Sequence, residues 1–139
     1  MNIALDENAI MPSRAHDLDA GLDLMTPIDI TVPAHGYVFI DTGVHVEVPE
    51  WTRGHICSKS GLNRYHGLTA DGTVDQGYTG TVGVTVHNDD DKPYTFKRGE
   101  KIAQLVIEPI ARPRIKLVDE IKGGVRGNNG YGSSGKCWI

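Results

Sequence analysis

The sequence contains little cysteine and no long hydrophobic stretch, and each shortage excludes a class of protein. Cys57 and Cys137 are the only cysteines among 139 residues and are not spaced as metal ligands. We therefore expect no disulfide framework, and we expect a reducing, cytoplasmic location. No run reaches the ~18 apolar residues of a membrane helix, and the start, MNIALDENAI, lacks the basic and apolar regions of a signal peptide. We expect an intracellular protein without a membrane partner.

An excess of positive charge is also missing. The chain carries 14 Lys and Arg against 18 Asp and Glu, for a net charge of −4. Because non-specific nucleic-acid binding needs a basic surface, no nucleic-acid partner is expected. A small anionic ligand in a local basic pocket remains compatible with this balance. The six histidines show no HExxH or paired spacing, so we predict structural roles for them.

Long helical patterns are absent, and short alternating runs divided by turn residues take their place. VHVEV and TVGVTV alternate strictly, and YVFI, AQLVIEPI and RIKLV are further strand candidates. The predicted inward positions of the first two runs are Val44, Val46, Val48, Val82, Val84 and Val86. The 17 Gly and 7 Pro supply frequent turn signals, among them DTG, ADG and QGY. This pattern predicts an all-β fold, a jelly-roll-like β-barrel.

Two segments depart from the strand pattern. GLNRYHG predicts one short helix, with Ser60 as its N-cap and Gly67 at its end. The stretch after Val118 can bury very little apolar surface. We therefore predict a single body of residues 1–118, followed by a flexible C-terminal arm of residues 119–139.

The glycine-rich segment LTADGTVDQGYTGTVGVTVHN is open to two interpretations. Its local pattern fits a plain β-hairpin with Asp75 at the tip. However, Gly72 and Gly83 interrupt strand patterns, and glycine inside a strand often marks the close approach of a ligand. Bare backbone on both strands could bind the edge of a planar heterocycle, with Tyr78 against a sugar and Asp75 as a general base.

Two other segments carry weaker signals of chemistry. In CSKSGL, a cation, a hydroxyl and a glycine stand where a strand gives way to the predicted helix, which suits an anion. An ordinary capped helix with a solvated lysine is the alternative, and the GxxxxGK[ST] pattern of a P-loop is absent. In DAGLDL, Asp23 could hold Mg²⁺ directly or through water. Carboxylates at strand ends are also common turn formers.

Five segments between Ala20 and Gly135 stand in a fixed order: AGLDL, SKSGL, GTVDQGYTGTVGVTVHN, RGEKIAQL and RGNNGYGSSG. Together they resemble the motifs of the homotrimeric deoxyuridine triphosphatase (dUTPase) family. The resemblance implies a jelly-roll subunit in a homotrimer with active sites at subunit junctions. It also implies hydrolysis of dUTP to dUMP and pyrophosphate with Mg²⁺ on the triphosphate. Such a reaction limits uracil in DNA and supplies dUMP for thymidylate synthesis.

The resemblance also implies roles for individual residues. Asp75 would activate the attacking water, Arg126 would supply charge to the transition state, and Asp23 would meet Mg²⁺ through bound water. Tyr131 would stack on uracil as the arm closes. The residues that would bind substrate are Lys59, Ser60, Gly61, Gly72, Thr73, Val74, Tyr78, Gly83, Gln104, Tyr131, Gly132, Ser133 and Ser134.

Departures from the family pattern leave alternatives. Lys59 stands where the family usually has Arg, which keeps the charge but loses the planar bidentate fork. The related deoxycytidine triphosphate deaminases need a catalytic glutamate where this chain has Thr85, so deamination is disfavoured. A regulatory protein on the same scaffold, acting on an unknown protein partner, is the other alternative. A bare structural β-trimer is disfavoured by the retained arm.

Overall fold

The computed structural model describes residues 1–130 and 135, and nine strands and one helix make up this part of the chain. In chain order the elements are β1 Ile3–Leu5, β2 Gly21–Met25, β3 Ile30–Val32, β4 Tyr37–Val46, β5 Thr52–Cys57, α1 Ser60–His66, β6 Leu68–Val74, β7 Thr81–Asn88, β8 Tyr94–Phe96 and β9 Lys101–Pro109. Seven strands form one sheet in the order β1-β4-β7-β6-β5-β9-β2, and β3 pairs with β8. All pairs are antiparallel. The predicted all-β class is confirmed.

The core is built by the alternation that the sequence predicted. Val82, Val84 and Val86 on β7 are all at most 1% exposed, and Val44, Val46 and Val48 are also buried. Side chains on a strand point alternately to the two faces, so a period of two places one whole set inside. Each fully buried side chain of this size contributes roughly 1.5–3 kcal/mol relative to exposure. The inner face of the curved sheet is therefore the main source of stability.

Two predicted turns are wrong, because the chain passes through them without leaving the sheet. YVFI, DTG and VHV form the single ten-residue strand β4, whose pairing with β7 shifts register between Asp41 and His45. Gly43 takes a φ of 65° at this irregularity, and the hydroxyl of Thr42 donates to the carbonyl of Val82 at 2.6 Å. That bond ties the bulge to the neighbouring strand. The segment ADG likewise lies inside β6.

The strand predicted for RIKLV is also wrong for this single chain. The last strand ends at Pro109, and residues 110–118 have no regular structure. Ile115 and Leu117 are 99% and 97% exposed, because no strand of the described chain pairs with this segment. The boundary near Val118 between body and arm stays a prediction.

The short helix forms where expected but begins differently. It runs over Ser60–His66 and ends at Gly67, whose φ of 61° is left-handed, as predicted. Its N-cap is Lys59 rather than Ser60, and no side chain caps it. Ser60 is instead the first helical residue. Among residues 1–130 and 135, no helix has the length and apolar character needed to cross a bilayer.

Candidate active site

The hairpin of β6 and β7 opens into a cleft. The two strands pair only from Leu68↔Asn88 to Ala70↔Val86. Beyond that point β6 pairs with β5 on its other side, and β7 pairs with β4. The facing edges of residues 71–74 and 81–85 therefore do not pair with each other. Backbone N–H and C=O groups on these unpaired edges need other hydrogen-bond partners, which a ligand can supply. The lining residues include Phe39, Ile56, Asp71, Gly72, Thr73, Val74, Asp75, Tyr78, Thr81, Val82, Gly83 and Thr85.

Close packing explains the glycine at position 83. A Cβ atom there would lie 2.3 Å from Cζ of Phe39, closer than real Cβ contacts come. The Phe39 ring, 64% exposed, thus lies directly over bare backbone. Since Gly83 is in extended backbone, the need for glycine at this position is steric.

The tip of the hairpin presents Asp75 and Tyr78. The backbone N–H of Tyr78 donates to the carbonyl of Asp75 at 3.1 Å, and Gly77 takes a φ of 86° in this turn. The Tyr78 hydroxyl donates to the carbonyl of Thr81 at 3.1 Å, which fixes the ring beside the cleft. The Asp75 carboxylate is exposed and has no hydrogen bond or ion pair to residues 1–130. It is therefore accessible to a water molecule.

A second cluster lies where β2, β9 and the start of α1 meet. Asp23, 5% exposed, contacts the ammonium groups of both Lys59 and Lys101, the latter at 2.6 Å. Burial acts to raise the pKa of Asp23, but the hydrogen bonds and charges of Lys101 and Lys59 outweigh it and lower that pKa. Two ammonium groups on one carboxylate leave a surplus positive charge. This cluster suits an anion.

Gln104 and the first turn of α1 complete this cluster. Gln104 lies opposite Asp23 in the β2–β9 pairing, and its amide nitrogen donates to the carbonyl of Ser58 at 3.2 Å. Ser60 and Gly61 begin the helix, whose first N–H groups have no partner within the helix. A Cβ atom at Gly61 would meet nothing within 4 Å, so the approach to this backbone is open.

The side chains around Asp23 could supply only part of the coordination of a Mg²⁺ ion. Within residues 1–130 and 135, no three His, Cys, Asp or Glu side chains come together as a metal site. Mg²⁺ keeps several waters and is commonly held by one or two carboxylates plus substrate phosphates. Asp23 fits as one such outer carboxylate, but its two lysine partners neutralise it here. A metal carried by a polyphosphate fits these residues better than a metal held by the protein alone.

The predicted site residues thus fall into separate groups. The hairpin gathers Gly72 to Tyr78 and Gly83, whereas Asp23, Lys59, Ser60, Gly61 and Gln104 gather around the cationic cluster. Arg126 lies in the exposed arm and donates to the carbonyl of Gly130 at 3.3 Å. Tyr131, Gly132, Ser133 and Ser134 lie outside the described residues.

Sequence reasoning missed Lys101 and Phe39. Lys101 is the first residue of β9 and directly follows the turn KRGE. Its position in RGEKIAQL was visible, but nothing in the letters indicated that it shares Asp23 with Lys59. Phe39 was predicted only as a strand residue, because its contact with Gly83 joins two strands distant in sequence.

Together these features define a class: an all-β protein with one cleft for a planar hydrogen-bonding ligand and a separate cationic cluster for an anion. The chain matches the family model for dUTPase over residues 7–135. It belongs to the dUTPase family. The family and the enzyme class expected from the sequence, dUTP diphosphatase, are thereby confirmed.

Curated relatives come from distant organisms. The deoxyuridine 5'-triphosphate nucleotidohydrolase of Oryza sativa subsp. japonica is 38% identical over 132 residues, which cover 94% of this chain and 77% of the rice protein. That of Crocosphaera subtropica is 37% identical over 136 residues and covers 96% of each chain. The similarity therefore extends over nearly all of this chain.

Solved structures of phage enzymes share the fold. The Staphylococcus bacteriophage 80alpha dUTPase with dUPNHPP matches with a TM-score of 0.89 and 33% identity, over 97% of this chain and 98% of that one. A mutant dUTPase from phage phi11 of S. aureus matches with a TM-score of 0.80 and 29% identity, over 88% and 98%. The latter structure is described as revealing the coordination of a structural Mg(II) ion. These matches confirm the predicted fold class.

Proposed function

We propose that the protein hydrolyses dUTP to dUMP and pyrophosphate, with the open β6–β7 hairpin as its uracil site. The observation that carries this proposal is that the facing edges of β6 and β7 do not pair with each other next to the exposed Asp75. The nucleotidohydrolase names of the relatives support the same reaction. In a cell this activity would limit uracil in DNA and supply dUMP for thymidylate synthesis, and we propose a cytoplasmic location for it.

The cleft suits uracil because of its backbone geometry. Continuing the pairing register beyond Ala70↔Val86 puts Thr73 opposite Gly83. The hydrogen-bonding edge of uracil presents an N–H between two carbonyls. Backbone C=O and N–H groups of Thr73, Val74 and Gly83 supply the complementary pattern. Cytosine offers an amino group in place of a carbonyl, so it would leave buried polar groups unpaired, which costs about 1–3 kcal/mol each. The Tyr78 ring would pack on the deoxyribose and exclude a 2′-hydroxyl.

Asp75 is the proposed base for the attacking water. Its exposed carboxylate lies at the hairpin tip, beside the uracil cleft. The water oxygen forms a new bond to phosphorus, its proton passes to the carboxylate, and pyrophosphate leaves with the electrons of the broken P–O bond. A positioned base of this kind typically contributes ~10²–10⁴ in rate. The rest of the acceleration must come from neutralising charge on the triphosphate.

The cationic cluster is the proposed triphosphate site. Lys59, Ser60, Gly61 and Gln104 would bind phosphate oxygens, with Lys101 adding charge. Mg²⁺ on the triphosphate would neutralise further charge, with Asp23 holding it through water. The Mg(II) ion described for the phage phi11 enzyme supports a metal requirement. Arg126 and the arm residues Tyr131 to Ser134 would close over the nucleotide and exclude water.

We propose that the working unit is a homotrimer in which the hairpin of one subunit meets the phosphate cluster of another. The exposed apolar side chains after β9 support an oligomer. Ile115, Leu117 and Ile121 are 99%, 97% and 86% exposed, which is unfavourable for an isolated chain. A neighbouring subunit would cover them. A regulatory protein partner stays a prediction.

A substrate panel tests the proposed function. Pyrophosphate release is measured with dUTP, dCTP, dTTP and UTP in the presence of Mg²⁺, and ammonia release is followed in parallel. We expect pyrophosphate from dUTP alone at appreciable rates. Equal turnover of UTP would contradict the role of Tyr78, and ammonia from dCTP would identify a deaminase instead.

A further inference from the structure

An unusual turn lies close to the hairpin tip. Trp51 takes a left-handed φ of 58° although it is bulky and 61% exposed. Non-glycine residues in this region are strained and persist only where the surroundings enforce the conformation. The turn is held by Thr52, whose N–H and hydroxyl both bond the carbonyl of Pro49. The carbonyl of Trp51 accepts from the N–H of Ile110 at 2.9 Å, just after β9.

Arg112 connects this turn to the hairpin. Its guanidinium carbon lies 5.6 Å from the centre of the Trp51 ring, a cation–π arrangement. The same guanidinium donates to Oε1 of Gln76 at 2.7 Å. Gln76 directly follows Asp75 and is the second residue of the turn closed by Tyr78 and Asp75. Trp51, Arg112 and Gln76 therefore form a continuous bridge, called here the tip clamp.

Strand pairing does not reach the hairpin tip, so the tip depends on other contacts. The β6–β7 pairing stops at Ala70↔Val86, and the pairing of β6 with β5 stops at Val74. On the opposite side, a ring nitrogen of His45 bonds the carbonyl of Thr79 at 2.8 Å. The four residues that directly follow Asp75 are thus contacted at both ends by a side chain from outside the hairpin, Arg112 at Gln76 and His45 at Thr79.

We propose that Arg112, braced by Trp51, is a positioning residue that sets the orientation of the Asp75 carboxylate toward the attacking water. This rests on the proposed role of Asp75. Arg112 contacts Gln76 and Trp51, not the backbone edges of the cleft or the cationic cluster. Loss of the tip clamp therefore changes kcat rather than KM. Misplacing a reacting group by about 1 Å can cost ~10² in rate.

Steady-state kinetics with dUTP test the tip clamp, with thermal unfolding and binding of a non-hydrolysable dUTP analogue measured on the same samples. Arg112→Ala and Gln76→Ala should each lower kcat about 10- to 100-fold with KM nearly unchanged. The double variant should be no slower than the worse single variant, because both single substitutions remove the same hydrogen bond between Arg112 and Gln76. Arg112→Lys, which keeps a cation and a donor, should recover part of the loss. Lys92→Ala, which removes an exposed cation in the turn between β7 and β8, is the control and should retain normal kcat.

Trp51→Gly separates positioning from general stability. Glycine adopts a φ near 58° without strain, so the variant should keep nearly the unfolding temperature of the natural chain while its kcat falls. Normal kcat in Arg112→Ala, an equal loss in Lys92→Ala, or additive losses in the double variant would each overturn the tip clamp. Asp75→Asn is run alongside. Turnover by that variant would instead refute the proposed base, whereas its inactivity with a normal Arg112→Ala refutes the tip clamp alone.

Discussion

At the scale of single residues, the candidate site depends on a glycine where a side chain would clash and on a carboxylate that contacts two lysines. Gly83 has no room for a Cβ atom because the Phe39 ring lies on it. Asp23 is shared by two lysines, so its charge organises both ammonium groups rather than one. Removing Asp23 would leave two like charges adjacent, which should destabilise the cluster and displace Lys59 from the start of α1.

Gly83→Ala should weaken dUTP binding by at least tenfold. The added methyl group forces the exposed Phe39 ring to move and narrows the cleft, so the loss should be larger in binding than in stability. Isothermal titration with a non-hydrolysable dUTP analogue and chemical unfolding measure the two effects. In the double variant with Phe39→Ala the stability should partly return while binding stays weak. Recovery of binding would show that Gly83 serves only to accommodate Phe39.

At the scale of elements, a network of charged side chains joins three strands next to the hairpin. His55 on β5 bonds Asp71 of β6 at 2.9 Å and Glu108 of β9 at 3.1 Å. Arg53 also pairs with Glu108 at 2.9 Å and reaches the Thr73 hydroxyl at 3.4 Å. The network lies beside the strand that carries Gly72 and Thr73. It supports β6 on its β5 side, along the stretch where β7 has separated from the other side.

The His55 network should make stability depend on pH. Hydrogen bonds to Glu108 and Asp71 raise the pKa of His55 above 6.5, and the bonds from His55 and Arg53 lower the pKa of Glu108 below 4.5. The His55 contribution is complete below its ordinary pKa and is lost as pH rises through the raised value. The Glu108 contribution is complete above its ordinary pKa and is lost as pH falls through the lowered value.

His55→Gln should therefore destabilise the protein more at about pH 5.5 than at about pH 8.5. Thermal unfolding of the natural chain and the variant at both pH values measures the difference. His35→Gln is the matched control, because His35 and its partner Asp91 are exposed and their pair should contribute little. An equal loss at both pH values would show that His55 supports β6 by packing rather than by charge.

The elements also show what the sequence could and could not predict. The strands with strict alternation, such as Val82 to Val86, were predictable because burial of one face follows directly from a period of two. The passage of β4 through DTG was not, because it depends on the bond from Thr42 to Val82, forty residues away. The motifs predicted which residues belong to the site, and those assignments stay predictions. The opening of the hairpin and the sharing of Asp23 are tertiary features that no local pattern contains.

At the scale of the whole molecule, the candidate site is divided. The proposed uracil cleft and the cationic cluster occur as two separate groups of residues, and the segment after β9 leaves apolar side chains uncovered. The proposed homotrimer, in which subunits complete one another's sites, would account for both features. RIKLV would then become a strand only when a neighbouring subunit offers it an edge.

Sedimentation should report a mass near three times the chain mass of 15.1 kDa. Ile115→Asp combined with Leu117→Asp should shift the protein toward monomer, because the substitutions place charges in the surface that a neighbouring subunit would cover. The rate of dUTP turnover should fall in proportion to the loss of trimer. Ile28→Asp, at a half-exposed position between β2 and β3, serves as control and should leave mass and turnover unchanged. A fully active monomer would contradict shared sites.

The central claim is that Asp75 activates water at the open hairpin, and the Asp75→Asn variant tests it most directly. Asparagine keeps the size of the side chain but cannot accept the proton from water. Pyrophosphate release from dUTP should fall by at least ~10². The affinity for a non-hydrolysable dUTP analogue should stay within about twofold, because Asp75 lies at the hairpin tip and not on the unpaired strand edges proposed to bind uracil. Release of pyrophosphate at the natural rate would contradict the account.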